Sequence, residues 1–195
     1  MIHPAIDPGL SVPTDSKAED MSTTTSTTTQ LNDVDIAAVA SLAGKISEKP
    51  EVAATTWQAS VEWKGAFRSE ASIRGFAPSV SDEPTSLGGG DAGPNPVEQL
   101  LGALGNCLAV GYAANATLAG IEIRDLKVEV EGDLDLHTFL GLRDGNAGFQ
   151  DIRVNVHLDS DATPHQLEEL HAQVTATSPV GHTLGRPVPL HIDLA

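Results

Sequence analysis

The sequence predicts a single α+β domain preceded by a polar tail and one short helix. Three observations predict it. Apolar residues alternate with polar ones in several short stretches, a long uncharged run that reads as a helix separates the first pair of those stretches from the rest, and no repeat of fixed period runs through the chain. Residues 1–30 are rich in Pro, Ser and Thr without apolar periodicity, so they are expected to be a disordered tail. Pro4, Pro8 and Pro13 interrupt any apolar stretch of the kind a secretory signal needs, which makes the cytoplasm the expected compartment, and Met21 is a second candidate start. Residues 31–50 form a helical appendage, because Val34, Ala37, Ala38, Leu42 and Ile46 fall at helical spacing before Pro50.

From residue 53 the pattern changes to period two. Trp57, Ala59, Val61 and Trp63 alternate with Gln58, Ser60 and Glu62, and a turn at Lys64-Gly65 leads into a second run over 67–76, so a β-hairpin is expected. Residues 78–94 read as a Gly- and Asp-rich loop. Asn95 then suits an N-cap, Pro96 the first helical position and Glu98 the positive end of the helix dipole, giving one long helix to about Leu118 that Gly120 ends. Its Gln99, Asn106, Asn115 and Thr117, with mostly Ala and Gly around them, favour a buried central helix over a membrane span. Two strands follow, over 121–134 and 149–158, then a helix over 166–175 with Leu167, Leu170 and Val174 on one face, a turn at 178–184 and a last strand over 188–194.

The charge balance excludes several function classes. With 11 basic against 27 acidic side chains the net charge is −16, which repels phosphate backbones and anionic bilayers, so neither nucleic acid nor a membrane is an expected partner. The loop before the long helix lacks the spacing of a P-loop or a dinucleotide fingerprint, and no G-x-S-x-G elbow makes Ser178 a nucleophile. The seven histidines show no H-x-x-x-H pair, and the single cysteine, Cys107, offers no cysteine-based zinc site and no intrachain disulfide, so neither metal nor cofactor is expected.

Cys107 is the candidate for chemistry, and the residues alone leave two readings open. A cysteine in the middle of an apolar helix is commonly inert core. A reactive one needs a nearby cation, for which Arg68 and then Arg74 on the hairpin are the candidates. Glu98, nine residues away, falls on the opposite helix face and about 13 Å along the axis, so it cannot pair with Cys107 unaided.

Residues 93–107, with Pro96, Glu98, Leu100, Leu101, Ala103, Leu104 and Cys107 in the order P-x-E-x-L-L-x-A-L-x-x-C, resemble the helix signature of the OsmC/Ohr family of osmotically inducible and organic hydroperoxide resistance proteins. Ser178-Pro179-Val180-Gly181-His182-Thr183-Leu184 resembles that family's C-P-V-x-x-T-L segment, and Trp63-Lys64-Gly65 with Arg68 resembles its N-terminal half, so the likeness spans residues 53–195. The resemblance implies an OsmC-like fold in which two central helices pack against antiparallel sheets. It further implies an intertwined homodimer with active sites built from both chains. It assigns Cys107 as the peroxidatic cysteine, Arg68 as the cation beside it and Glu98 as the carboxylate that orients Arg68. It also implies reduction of a small-molecule organic hydroperoxide, Cys107 passing through a sulfenic acid. Ser178 stands where the family has its second cysteine, so turnover requires an external thiol. The alternatives are a non-catalytic module that binds a small hydrophobic ligand at the dimer interface, and a stress-associated dimer in which Cys107 is core. In either case Ser178 serves only to cap a turn.

Overall fold

Residues 30–194 are described by the computed structural model; the expected disordered tail lies, apart from Gln30, outside them. Among these residues five α-helices and five strands follow one another. They are α1 (Ile36–Glu48), β1 (Ser60–Gly65), β2 (Arg68–Ser72), β3 (Ser79–Ser81), α2 (Pro96–Leu118), β4 (Ile123–Asp133), α3 (Leu136–Phe139), β5 (Asp151–Ser160), α4 (Pro164–Thr177) and α5 (Pro179–Gly185). The mixed helix-and-sheet class is as expected. The strands form two separate antiparallel sheets, β1-β2-β3 and β4-β5.

The core follows from two periodicities meeting. On α2, Leu104, Leu108, Tyr112 and Ala116 recur every fourth residue and are buried, together with Ile121 beyond its end and Leu170 and Val174 of α4. On the β4-β5 ladder, where Val128 pairs with Val156 and Val130 with Val154, the same-face residues Leu126, Ile152 and Leu158 join these valines against that helical stripe. Burying each large aliphatic side chain contributes about 1.5–3 kcal/mol, so the packing of α2 against both the β4-β5 sheet and α4 is where the fold is anchored. The outer face of the same sheet is charged. Arg153 lies among Asp133, Glu131 and Asp151, which hold its guanidinium above the ordinary arginine range. These groups are exposed, so the cluster adds solubility more than stability.

Several elements depart from the sequence expectation. Within the appendage expected over 31–50 the helix starts only at Ile36, because Asp35 caps it by accepting from Ala38 N–H at 3.0 Å, and a 3-10 turn at Leu31–Asp33 precedes it. The hairpin forms, but its strands are shorter than the alternation. A third strand, β3, emerges from what reads as loop, pairing Val80 with Glu70. The turn at 178–184 is a helix, with Ser178 as N-cap and Pro179 at the first position, a start signal that is present in the sequence. The strand expected over 188–194 does not form. Val188, Leu190, Ile192 and Leu194 keep their alternation but are exposed, because alternation sets which face a side chain takes, while a strand also needs a neighbour to bond.

The N-terminal segment is tied to α2 and β4 chiefly through one side chain. Asn32, in the left-handed region at φ 54°, donates from Nδ2 to Thr117 Oγ1 (3.0 Å) and Ile121 O (2.9 Å) and accepts from Ile123 N–H (2.8 Å). It therefore bridges the end of α2 and the start of β4. Removing it leaves a part-buried N–H and C=O unpaired, so Asn32→Ala is expected to cost about 1–3 kcal/mol. Urea denaturation checks this, and an unchanged midpoint would mean the segment is not docked there.

Candidate functional site

Helix α2 is fixed at both ends by hydrogen bonds that its sequence encodes. At its start Asn95 Oδ1 accepts from Glu98 N–H (2.9 Å) while Glu98 Oε2 accepts from Asn95 N–H (2.8 Å), a reciprocal capping box, and Pro96 occupies the first position. At its end Gly120, at φ 71°, donates to Thr117 O and Ile121 N–H donates to Ala116 O, the paired bonds of a Schellman motif. The Gly-rich loop sets the entry. Asp82, only 4% exposed, accepts from Glu83 N–H (2.9 Å), Gly90 N–H (3.1 Å) and Ala92 N–H (3.3 Å). Gly89 passes so close that a Cβ there would lie 1.8 Å from Glu83 O, and Ser81 Oγ donates to Pro94 O (3.1 Å) just before the cap.

Cys107 sits mid-helix, half-buried, on the flank of α2 that faces α4 and α5. Its Sγ lies 3.4 Å from Ser178 Oγ. Two glycines make that approach possible. A Cβ on Gly111 would meet Val174 Cγ1 at 3.0 Å, so glycine lets α4 close on α2 beside the cysteine, and one on Gly181 would meet Ser178 Oγ at 3.0 Å. Ser178 is 5% exposed and also caps α5, accepting from Gly181 N–H at 3.1 Å. An open groove of about 390 Å³ runs over the sulfur, walled by Val110, Ala114, Val174 and Pro179 with Asn106 and Thr177 at its polar edge. Its lining is mostly apolar and carries no charge.

Glu98 is elsewhere. It lines a different groove of about 450 Å³ with Leu101, Gly105, Val128 and Val130, on the opposite face of α2, as nine residues at 100° each require. Arg68 is exposed at the start of β2, and the Arg74 guanidinium stacks 4.7 Å above the Phe76 ring. Among the described residues no hydrogen bond or ion pair joins either arginine to Cys107 or Glu98. One chain thus brings together Cys107 and Ser178, and leaves Glu98, Arg68 and Arg74 apart from them.

A pair that the sequence did not announce lies behind Ser178. Tyr112 is buried, which pushes its phenol above the usual tyrosine range, and its hydroxyl shares a hydrogen bond with His171 Nδ1. Both line a third, mainly apolar cavity of about 270 Å³ that also touches Ser178 and His182. No group of His, Cys, Asp and Glu among the described residues gathers to hold a metal ion, and none of the described helices is long and apolar enough to cross a membrane.

A protein-family model described as OsmC-like protein matches residues 88–193, more than half of the chain. The chain belongs to the OsmC-like family. Its fold matches that of an OsmC-like protein from Mycoplasma pneumoniae, with a TM-score of 0.59 at 20% identity, covering 67% of this chain and 88% of that one. A protein from Legionella pneumophila described as an organic hydroperoxide resistance protein OsmC matches with a TM-score of 0.52 at 16% identity, covering 67% of this chain and 91% of that one. A Psychrobacter arcticus protein described as a putative osmotic stress induced and detoxification response protein gives 0.55 at 15%, over 66% and 88%. No curated protein matches the sequence. These likenesses establish the fold of the OsmC-like chain.

The capping box gives Glu98 a structural duty separable from any catalytic one. Glutamine serves the same box, so Glu98→Gln is expected to stay within about 0.5 kcal/mol of the parent, whereas Glu98→Ala loses about 0.5–2 kcal/mol, as other lost caps do. Thermal unfolding distinguishes them; equal losses in both variants would show that the charge, rather than the hydrogen bond, holds the helix start.

Proposed function

We propose that this OsmC-like protein is a homodimeric, thiol-dependent peroxidase that reduces organic hydroperoxides through Cys107 alone. The observation that carries the reading is a half-buried cysteine opening onto an uncharged, largely apolar groove, with Ser178 Oγ at 3.4 Å where the family resemblance places a second sulfur. The name of the Legionella relative supports the substrate class. The Cys107 thiolate attacks the outer oxygen of the O–O bond. The S–O bond forms as O–O breaks, and the departing alkoxide takes a proton to leave as the alcohol. An external thiol then attacks the sulfenic sulfur, releasing water and leaving a mixed disulfide, which a second thiol cleaves to restore Cys107. The sum is one hydroperoxide and two thiols giving alcohol, water and a disulfide. A reducing cytoplasm supplies that thiol.

The site is completed by a second chain. Leu100, Val110 and Leu118, exposed on α2, form with Ala103, Cys107 and Ala114 a stripe at the spacing of a helix seam, and Trp57 and Trp63 are 82% and 75% exposed. An isolated chain rarely leaves so much apolar surface in water. Pairing along α2 lets Arg68 of the partner subunit, or its Arg74, approach Cys107 and lower the thiol pKa. A second reading, a module that holds a small hydrophobic ligand without turnover, draws on the same apolar groove and on the replacement of the second sulfur by Ser178.

Cys107→Ser is expected to abolish thiol-dependent consumption of an organic hydroperoxide, and Arg68→Ala to slow it about tenfold, the effect of one pKa unit on thiolate supply, with the dimer intact by sedimentation. Turnover that survives in Cys107→Ser would remove the peroxidase assignment. Val110→Glu places a charge in the α2 stripe and is expected to give monomers.

A further inference from the structure

We infer that Ser178 is a positioning residue for Cys107, its hydroxyl donating a hydrogen bond to the sulfur and holding it as thiolate and then as sulfenate. The inference rests on the peroxidase reading for the sulfenate, and on geometry alone for the thiolate. A serine hydroxyl has one proton and two lone pairs. At Ser178 one lone pair is taken by Gly181 N–H at 3.1 Å, an N-cap bond that fixes where the oxygen points. At 5% exposure the hydroxyl has little access to water. The acceptor left to its proton is Cys107 Sγ at 3.4 Å, the other hydrogen-bond partner the side chain has. A hydroxyl donated to sulfur favours the anion over the thiol.

The surroundings leave this bond as the local control on the sulfur within one chain. Around the groove stand Asn106, Val110, Gly111, Ala114, Val174, Thr177 and Pro179, none of them ionisable. On α2 the ionisable groups are Glu98, on the opposite face, and Tyr112 in the core. On the packed helices they are His165, Glu168, Glu169 and His171 of α4 and His182 of α5, of which His171 and His182 line the cavity on the far side of Ser178. Gly181 preserves the arrangement, because any Cβ there presses on the Ser178 oxygen at 3.0 Å. Ser178 thus has two consequences for the reaction. It removes the sulfur that would close an intrachain disulfide, and its hydroxyl stabilises the oxidised cysteine until an external thiol arrives.

The test is the pH dependence of Cys107 alkylation, with thiolate ultraviolet absorbance as a second readout, in the full chain and without hydroperoxide. Ser178→Gly removes the hydroxyl while keeping a residue that caps helices at a cost of only a few tenths of a kcal/mol, so it folds even if Ser178→Ala does not. Both variants are expected to raise the alkylation midpoint by about one pH unit, roughly the worth of a hydrogen bond to a charged group. Ser178→Thr, which keeps hydroxyl and cap, is expected to return it to the parent value. An unchanged midpoint in folded Ser178→Gly, or a Thr variant that behaves like Gly, would overturn the inference. Because no hydroperoxide is present, a shifted midpoint in a protein that fails to reduce hydroperoxides upholds the thiolate contact and removes the peroxidase reading alone.

Discussion

The reciprocal hydrogen bonds between Asn95 and Glu98 set the first turn of α2, and most of the structure takes its position from that turn. The helix carries the core ladder Leu104, Leu108, Tyr112 and Ala116 on one face, Cys107 on a second and Glu98 on a third, so a rotation of its start would displace core and site together. This explains the investment around the cap. Asp82 gathers three backbone N–H groups, Asn95 Nδ2 donates to Glu83 at 3.3 Å and Gln99 Nε2 donates to Pro94 O at 2.8 Å, all within the loop that delivers the chain to the helix. A loop so tightly bonded is a mount, and its glycines are there because backbone passes against backbone.

Helical geometry then divides the chemistry. A carboxylate nine residues from a cysteine on one straight helix faces away from it, and the structure keeps them in separate grooves. Any account in which Glu98 and an arginine serve Cys107 therefore needs a second α2, and the apolar stripe on the first is the surface that would receive it. The exposed alternation of Val188, Leu190, Ile192 and Leu194 has the same character, a strand pattern with no neighbour inside the described chain. What one chain does complete is the pair Cys107 and Ser178, which comes from packing three helices against each other across Gly111 and Gly181.

Much of this was legible from local signals. Asn95-Pro96-x-Glu98 announces a capped helix, the valines of β4 and β5 announce a half-buried sheet, and the spacing of Glu98 and Cys107 already places them on opposite faces. Other features carry no local mark. Asn32 is an ordinary polar residue whose three bonds go to Thr117, Ile121 and Ile123, and no window of sequence contains both ends. The burial of Asp82 and the pairing of Tyr112 with His171 likewise exist only after the chain has returned on itself. The strand expected over 188–194 is absent for the converse reason: its periodicity is real, but no neighbouring strand pairs with it among the described residues. Ser178 reads in the sequence as an absent thiol or a cap, and the structure gives it both the cap and a contact with sulfur.

Peroxidase function requires that hydroperoxides oxidise the Cys107 sulfur. An intact-mass time course of the reduced protein with an organic hydroperoxide and, separately, hydrogen peroxide tests that most directly, with free cysteine as the reference. The expected result is rapid gain of one oxygen atom at Cys107, faster with the organic substrate and without an intrachain disulfide. Oxidation no faster than that of free cysteine would contradict it and leave the groove as a place where small apolar molecules bind unchanged.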